Sequence, residues 1–176
     1  MKIKKTKFRD LVIVTSPVHK DKRGIFREIF KKSLLNKYKF IFNCTSTSKK
    51  NVLRGLHLQT KFKQGKYVSA LKGEIYDVAV DLRKGSKTFG KTFSINLSDK
   101  NGISIYIPEG FAHGFVGLKK ENIISYSCTQ YRSKNHEQGI YWNDKDLDIK
   151  WPIKKPIVSL KDSKNLSLVN FIKKYG

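Results

Sequence analysis

The chain has few of the residues that build crosslinked, metal-bound or membrane-embedded proteins. Only two cysteines, Cys44 and Cys128, occur among 176 residues, and they form neither a disulfide framework nor a metal-ligand spacing. No apolar run approaches the roughly 20 residues of a membrane span. The lysine-rich start, residues 1–7, is not followed by an apolar stretch, so we expect no signal peptide. These absences predict a reduced, cytoplasmic protein with no membrane partner.

Acidic residues are also scarce, because 14 Asp and Glu stand against 37 Lys and Arg and give a net charge of +23. Such a charge raises nucleic-acid binding as an alternative. Nucleic-acid-binding proteins favour arginine for bidentate and stacked contacts, and arginine occurs only six times here, against 31 scattered lysines. We therefore interpret the lysines as a solvated surface, expect no nucleic-acid partner, and expect faster arrival of an anionic substrate.

Short segments that alternate apolar and polar residues run through most of the chain. The turn signals Lys72-Gly73 and Asn101-Gly102 each separate two such segments, which we interpret as hairpins. Only the tail after Asp162 has a helical pattern of apolar residues. One domain over residues 1–176 is expected from the length. The pattern predicts an antiparallel sandwich or barrel, a fold that can hold one ligand inside.

Two stretches place a histidine beside a glycine in an apolar setting. Residues 52–59 read Val-Leu-Arg-Gly-Leu-His-Leu-Gln and residues 107–115 read Ile-Pro-Glu-Gly-Phe-Ala-His-Gly-Phe. In a regular strand Arg54 and His57 would lie on opposite faces, because side chains alternate. Two hydrogen-bonded core histidines are one interpretation. The pair His57 and His113, with Arg54 and Lys66 nearby, favours a functional site.

The chemistry of these residues favours proton transfer without a metal. Gln59 stands where a His-x-His metal site needs its second histidine, which leaves too few ligands. The sequence also has no Gly-rich phosphate loop, dinucleotide fingerprint or nucleophile elbow. A histidine base backed by a carboxylate, a lysine or histidine donor to a carbonyl and a tyrosine acid fit proton abstraction beside a ketone. We therefore predict an isomerase or epimerase.

The chain resembles the dTDP-4-dehydrorhamnose 3,5-epimerase family from about residue 21 to residue 162. The two stretches quoted above carry the resemblance, together with those at 21–30, 64–66, 73–83, 86–90 and 142–144. The resemblance implies an all-β, antiparallel jelly-roll barrel of the cupin-like class with a short C-terminal helical segment. It also implies a homodimer that lends an N-terminal strand to the partner's sheet, and no cofactor.

The resemblance assigns roles to particular side chains. It implies that His57 removes the C3 and C5 protons of a nucleotide-diphosphate 4-keto sugar, with Asp162 as its carboxylate partner. Tyr126 would reprotonate the opposite face, and Lys66 would hold the enolate at the 4-keto oxygen. Further substrate contacts are implied for Arg23, Glu28, Arg54, His113, Tyr131, Arg132, Glu137 and Lys161.

This chain departs from the family pattern near the expected nucleotide site. Phe42-Asn43-Cys44 replaces a usual Gln-x-Asn, and Tyr131-Arg132 replaces two adjacent tyrosines. A guanidinium suits guanine O6 and N7, so we expect a GDP-linked 4-keto sugar such as a 6-deoxyheptose, with a dTDP-linked hexose as the alternative. Either product would serve capsule or lipopolysaccharide synthesis. The sequence leaves open a C3-only epimerase, a 3,4-ketoisomerase, and a non-catalytic sugar- or nucleic-acid-binding barrel.

Overall fold

A computed structural model describes residues 1–175, which contain thirteen strands and two short α-helices. The strands are β1 (Lys2–Lys5), β2 (Val12–Thr15), β3 (His19–Asp21), β4 (Gly24–Phe26), β5 (Phe42–Lys49), β6 (Leu53–Gln59), β7 (Lys66–Lys72), β8 (Glu74–Asp81), β9 (Thr92–Ser98), β10 (Ile103–Ile107), β11 (Phe111–Gly117), β12 (Glu121–Cys128) and β13 (Glu137–Gly139). The helices are α1 (Leu160–Ser163) and α2 (Leu168–Tyr175). No helix in this part of the chain is long and apolar enough to cross a membrane.

Eleven of these strands form two antiparallel sheets that face each other. One sheet has the order β1-β2-β10-β7-β12-β5, and the other has the order β13-β6-β11-β8-β9. From β5 to β8, and again from β9 to β13, successive strands alternate between the sheets, so the chain passes repeatedly from one sheet to the other. This arrangement and the short helical tail confirm the predicted all-β jelly roll.

The two predicted hairpins are wrong, although their strands exist. β7 and β8 flank Lys72-Gly73 but belong to different sheets, and so do β9 and β10 around Asn101-Gly102. Each turn signal predicts a chain reversal, which the structure has, with φ near +78° at Gly73 and +66° at Gly102. The partner of a strand depends on the facing sheets, so a local signal does not determine it.

The apolar core between the sheets occupies only part of the interior. Phe8, Leu97, Ile105 and Phe115 belong to a cluster that is almost fully buried there. The outer face of the five-stranded sheet is covered by the C-terminal segment, whose α2 buries Phe171 against it. Because the inner core fills one end of the barrel, the other end is left open for a ligand.

The hairpin β3–β4 stands apart from both large sheets. It pairs only with itself in the described residues, and its Ile25 and Phe26 are 48% and 68% exposed. Arg27, just beyond it, donates hydrogen bonds to the carbonyl oxygens of Ala70 and Ser98 and so fixes the chain at the barrel. β1 pairs with β2 of the same chain, and the exchange of an N-terminal strand with a partner stays a prediction.

Candidate active site

A cavity of about 520 Å³ opens at the end of the barrel that the inner core leaves empty. Its volume lies within the usual range for small-molecule sites. β6 and β11 of one sheet form one wall, and β5, β7 and β12 of the other sheet form the opposite wall. The lining includes the predicted site residues His57, Lys66, His113, Tyr126, Asp162, Arg54, Arg132, Glu137 and Lys161.

A bulge in β6 brings Arg54 and His57 to the same cavity. The ladder with β11 pairs His57 with His113 and Arg54 with Phe115, so three steps on β6 match two on β11. At the bulge Gly55 has φ near +121°, and a Cβ there would lie 2.6 Å from the Cα of Gly114. The expectation of opposite faces for Arg54 and His57 is therefore wrong, and the glycines beside the histidines permit this close approach.

His57 is paired with a carboxylate from the far end of the chain. Its Nε2 lies 2.6 Å from Oδ1 of Asp162, while Oδ2 of Asp162 accepts from the Gly55 N–H at 3.2 Å. Burial raises the pKa of Asp162, but the hydrogen bond and charge of His57 outweigh it and leave the pKa below its ordinary value. An ionised Asp162 keeps the proton on Nε2, so the Nδ1 lone pair of His57 is free to accept a proton.

Lys66 and Tyr126 lie on the wall opposite His57. Burial lowers the pKa of Lys66, and the nearby carboxylates of Glu137 and Asp77 oppose that shift. Burial also raises the pKa of Tyr126, so its phenol is protonated at neutral pH. The cavity thus presents a lysine nitrogen and a protonated phenol on one side and an imidazole on the other.

Two serines of β5 form hydrogen bonds with functional side chains, and the sequence pattern did not predict either serine at the site. Ser46 Oγ lies 3.1 Å from the Tyr126 hydroxyl, and Ser48 Oγ accepts from Arg54 Nε at 2.9 Å. Serine alternation at 46 and 48 on one face of β5 was the available signal, since it places two hydroxyls beside the inward positions of β12.

His113 also has a carboxylate partner that sequence reasoning missed. Its Nε2 lies 2.8 Å from Oδ2 of Asp77, and the two side chains are only 5% and 1% exposed. The signal was an acid inside the apolar strand β8, where a buried charge needs a partner. The other oxygen of Asp77 makes no hydrogen bond within residues 1–175.

Arg132, Glu137 and Lys161 form an ion network at the edge of the cavity. Arg132 donates two hydrogen bonds to Glu137, at 2.8 and 3.0 Å, and Lys161 Nζ lies 2.5 Å from the same carboxylate. Burial raises the pKa of Glu137, but these two cations lower it to about 2. Lys161 belongs to α1, so this network and the Asp162 contact hold α1 against the barrel.

Three predicted residues do not line this cavity. Arg23 is 84% exposed and pairs with Asp21 in the β3–β4 hairpin, and Glu28 is exposed just beyond that hairpin. Tyr131 is 62% exposed, and its ring centroid lies 6.0 Å from that of Phe42, which does line the cavity. Arg23 and Glu28 therefore do not line the pocket of their own chain, and their contact with the substrate stays a prediction.

Comparisons with known proteins agree with the geometry. Residues 5–170 match the family model described as dTDP-4-dehydrorhamnose 3,5-epimerase. The enzyme of that name from Shigella flexneri is 44% identical over 92% of this chain and 93% of its own length. The one from Methanothermobacter thermautotrophicus is 42% identical over 85% of this chain and 83% of its own.

A solved structure is similar over almost the whole length. It is the dTDP-6-deoxy-D-glucose-3,5-epimerase of Legionella pneumophila Philadelphia 1, in complex with dTDP-4-keto-L-rhamnose. It is 40% identical in sequence, superposes with a TM-score of 0.89, and the match covers 96% of this chain and 93% of that one.

Proposed function

The chain belongs to the dTDP-4-dehydrorhamnose 3,5-epimerase family, and from this membership we propose that it inverts C3 and C5 of a dTDP-linked 4-keto-6-deoxy sugar. One observation carries the proposal: the His57–Asp162 pair faces Lys66 and Tyr126 across one cavity. We propose that one catalytic domain, located in the cytoplasm, performs this reaction for surface-polysaccharide synthesis.

The first step is proton removal beside the ketone. Nδ1 of His57 takes the proton from C3 or C5, and the C–H electron pair moves into a C=C bond while the C4 carbonyl pair moves onto oxygen. Lys66 donates a hydrogen bond to that oxygen and stabilises the enolate. Asp162 stabilises the imidazolium that results, as carboxylate partners of histidine bases do.

Inversion requires that the new proton arrive from the other face of the sugar ring. His57 lies on the five-stranded sheet and Tyr126 on the six-stranded sheet, so a ring held between them meets the base and the acid on opposite sides. The enolate collapses to the ketone as carbon takes the phenol proton of Tyr126. A ring turned in the pocket repeats the sequence at the second carbon.

A homodimer accounts for Arg23 and Glu28, which their own pocket does not use. We propose that the β3–β4 hairpin of one chain covers the pocket of its partner, and that Arg23 meets the substrate diphosphate there beside Arg54. Exposed apolar side chains on both surfaces support this proposal. Ile25 and Phe26 are exposed on the hairpin, and Ile157 and Leu160, near the cavity, are 60% and 81% exposed, so the two pairs could pack against each other in the dimer.

The choice of nucleobase depends on how Arg132 meets the base. Nε and one terminal nitrogen of Arg132 donate to Glu137, so one edge of the guanidinium is occupied and its flat face is available to a base. Stacking on Arg132 beside Phe42 suits a pyrimidine as well as a purine. Since the relatives named above act on dTDP sugars, we propose dTDP, and the GDP-linked sugar stays the alternative.

Labelling in deuterated water tests the reaction. Incubation with a dTDP-linked 4-keto-6-deoxyhexose is expected to give a 3,5-inverted product with deuterium at C3 and C5. Label at C3 alone indicates a C3-only epimerase, migration of the ketone indicates a ketoisomerase, and no label with tight binding indicates a non-catalytic barrel. Kinetics with GDP- and dTDP-linked 4-keto sugars then identify the base by the higher kcat/KM.

A further inference from the structure

We propose that Ser46 is a positioning residue for the acid Tyr126: its hydroxyl donates to the phenol oxygen and restores the phenol proton after each turnover. The inference rests on the proposed function, because it needs Tyr126 to lose a proton to carbon. Nothing in the strand pattern assigns Ser46 a role, and the geometry alone points to it.

The contact is specific to the oxygen that reacts. Within residues 1–175 the Tyr126 hydroxyl makes one hydrogen bond, to Ser46 Oγ at 3.1 Å. The register of β5 and β12 pairs Ser46 with Ile124 and Cys44 with Tyr126, so Ser46 reaches the phenol diagonally across the ladder. Tyr126 also lines the cavity, so the same hydroxyl can meet a bound sugar.

The contact matters because Tyr126 becomes negatively charged during the reaction. When the enolate carbon takes the phenol proton, a phenolate remains in a site where burial favours the neutral phenol. An unsolvated phenolate would oppose the transfer, and a donor already in place stabilises the charge as it forms. Ser46 is the hydroxyl that the protein provides at that position.

The same hydroxyl offers a path for recharging the acid. Ser46 lies on β5, an edge strand of the six-stranded sheet, and its half-buried side chain lines the cavity, where a water molecule can reach it. The phenolate takes the Ser46 proton while Ser46 Oγ takes one from a water molecule, and the hydroxide formed neutralises the proton that His57 releases to solvent. The cycle therefore closes with no net change in protons.

The test compares Ser46→Ala with Ser46→Thr and with the control Thr47→Ala, which removes a hydroxyl from the opposite face of β5. Each variant is incubated with a dTDP-linked 4-keto-6-deoxyhexose in deuterated water. For Ser46→Ala we expect inversion to slow about 10- to 100-fold, the worth of a hydrogen bond to a charged group, with exchange on the His57 face and KM near wild type. Ser46→Thr is expected to retain most of the inversion rate, and Thr47→Ala all of it.

Three outcomes overturn the inference. Ser46→Ala within twofold of wild type shows that Tyr126 needs no donor, and an equal loss of exchange and inversion shows a structural role for Ser46. If Ser46→Thr inverts the sugar as slowly as Ser46→Ala, the hydroxyl group is not what supports Tyr126. Tyr126→Phe distinguishes a failure of the proposed function from a failure of this inference. If Tyr126→Phe inverts the sugar at the normal rate, Tyr126 is not the acid and the proposed function is wrong in that step. If Tyr126→Phe is slow while Ser46→Ala is normal, only the role of Ser46 is contradicted.

Discussion

At the scale of single residues, the base and its carboxylate partner contribute different amounts to proton removal. His57→Ala deletes the group that takes the proton, so exchange at both carbons should fall by about 10²- to 10⁴-fold. Asp162→Asn should cost less, because the amide disturbs the tautomer of His57 without deleting the base. Both are measured as deuterium uptake at C3 and C5.

A matched control is available for this comparison. His136 bonds Ser133 outside the cavity, so His136→Ala should exchange at the wild-type rate. Circular dichroism checks that each variant is folded. Exchange by His57→Ala close to the wild-type rate would show that another group is the base.

Tyr126→Phe should separate exchange from inversion. The variant lacks the acid, but His57 can still remove a proton and return a deuteron to the same face. Inverted product is therefore expected to fall about 10²-fold or more, while exchange falls much less. Product stereochemistry and label are read from the same NMR spectrum. Equal losses would mean that Tyr126 supports the enolate or the packing of the pocket.

The residues that sequence predicted at the site are mostly those that bear reactive groups. His57, Lys66, His113, Tyr126 and Asp162 have side chains whose chemistry is distinctive, and the structure brings them to one cavity. Ser46 and Asp77 were missed because the role of a serine or an acid depends on which residue the neighbouring strand of the sheet places beside it. Their partners lie 80 and 36 residues away along the chain.

At the scale of elements, Asp81 holds the loop between β8 and β9. It accepts hydrogen bonds from Arg83, Ser86 and Thr88, and Arg83 in turn packs 4.6 Å from the Phe111 ring centroid. The side chain of Asp81 is fully buried. Burial raises the pKa of Asp81, but these partners lower it to about 2.

Asp81→Asn should therefore make the protein less stable at neutral pH. The carboxylate has a pKa of about 2 when folded and 3.8 as the reference. A carboxylate whose pKa is lower in the folded state stabilises the folded protein at every pH above its unfolded pKa. Here this contribution is about 2 kcal/mol, and it is lost as the pH falls from about 5 towards 2. Urea melts at pH 7 and pH 3 should show a large stability difference between wild type and Asp81→Asn at pH 7 and roughly half of that difference at pH 3. An equal difference at both would contradict a charge-based contribution.

The β3–β4 hairpin should act in trans. Arg23→Ala and His57→Ala homodimers are each expected to be nearly inactive. In the proposed dimer each hairpin covers the other chain's pocket, so unfolding and refolding the two variants together should give mixed dimers with one intact pocket. About a quarter of wild-type activity should return, measured as product formed per chain. Persistent inactivity of the mixture would place Arg23 in its own chain's pocket or outside the reaction.

Strand segments were predicted far better than their pairing. Alternation located most of the strands from β2 to β12, since a half-buried strand shows it locally. β4 ends at Phe26, although the apolar residues Ile29 and Phe30 follow soon after it. There Arg27 turns to cap two carbonyl groups of the barrel, and that tertiary contact ends the strand.

At the scale of the whole molecule, the side chains of the barrel that could bind a metal already form hydrogen bonds with other protein groups. His57 and His113 each contact a carboxylate, and the amide of Gln59 donates to the carbonyl oxygens of Phe62 and Tyr131. We predict that treatment with a chelator leaves turnover unchanged and that elemental analysis gives well below one metal per chain. Loss of activity on chelation, with recovery on adding back one metal, would contradict this.

The fold class followed from the sequence because alternation, turn spacing and the shared motifs agreed with one another. The cavity itself was not predictable in the same way. It exists because the inner core fills only one end of the barrel, which is a property of side-chain volumes summed over several strands and not of any one of them.

His57 and Asp162 are separated by 105 residues. Synthesis runs from the N-terminus, so β1 to β12, which form both walls of the cavity, emerge before α1 does. A nascent chain can therefore bury its inner core while His57 still lacks its partner. The base acquires its carboxylate partner only when α1 docks, which makes full catalytic competence one of the last events in folding.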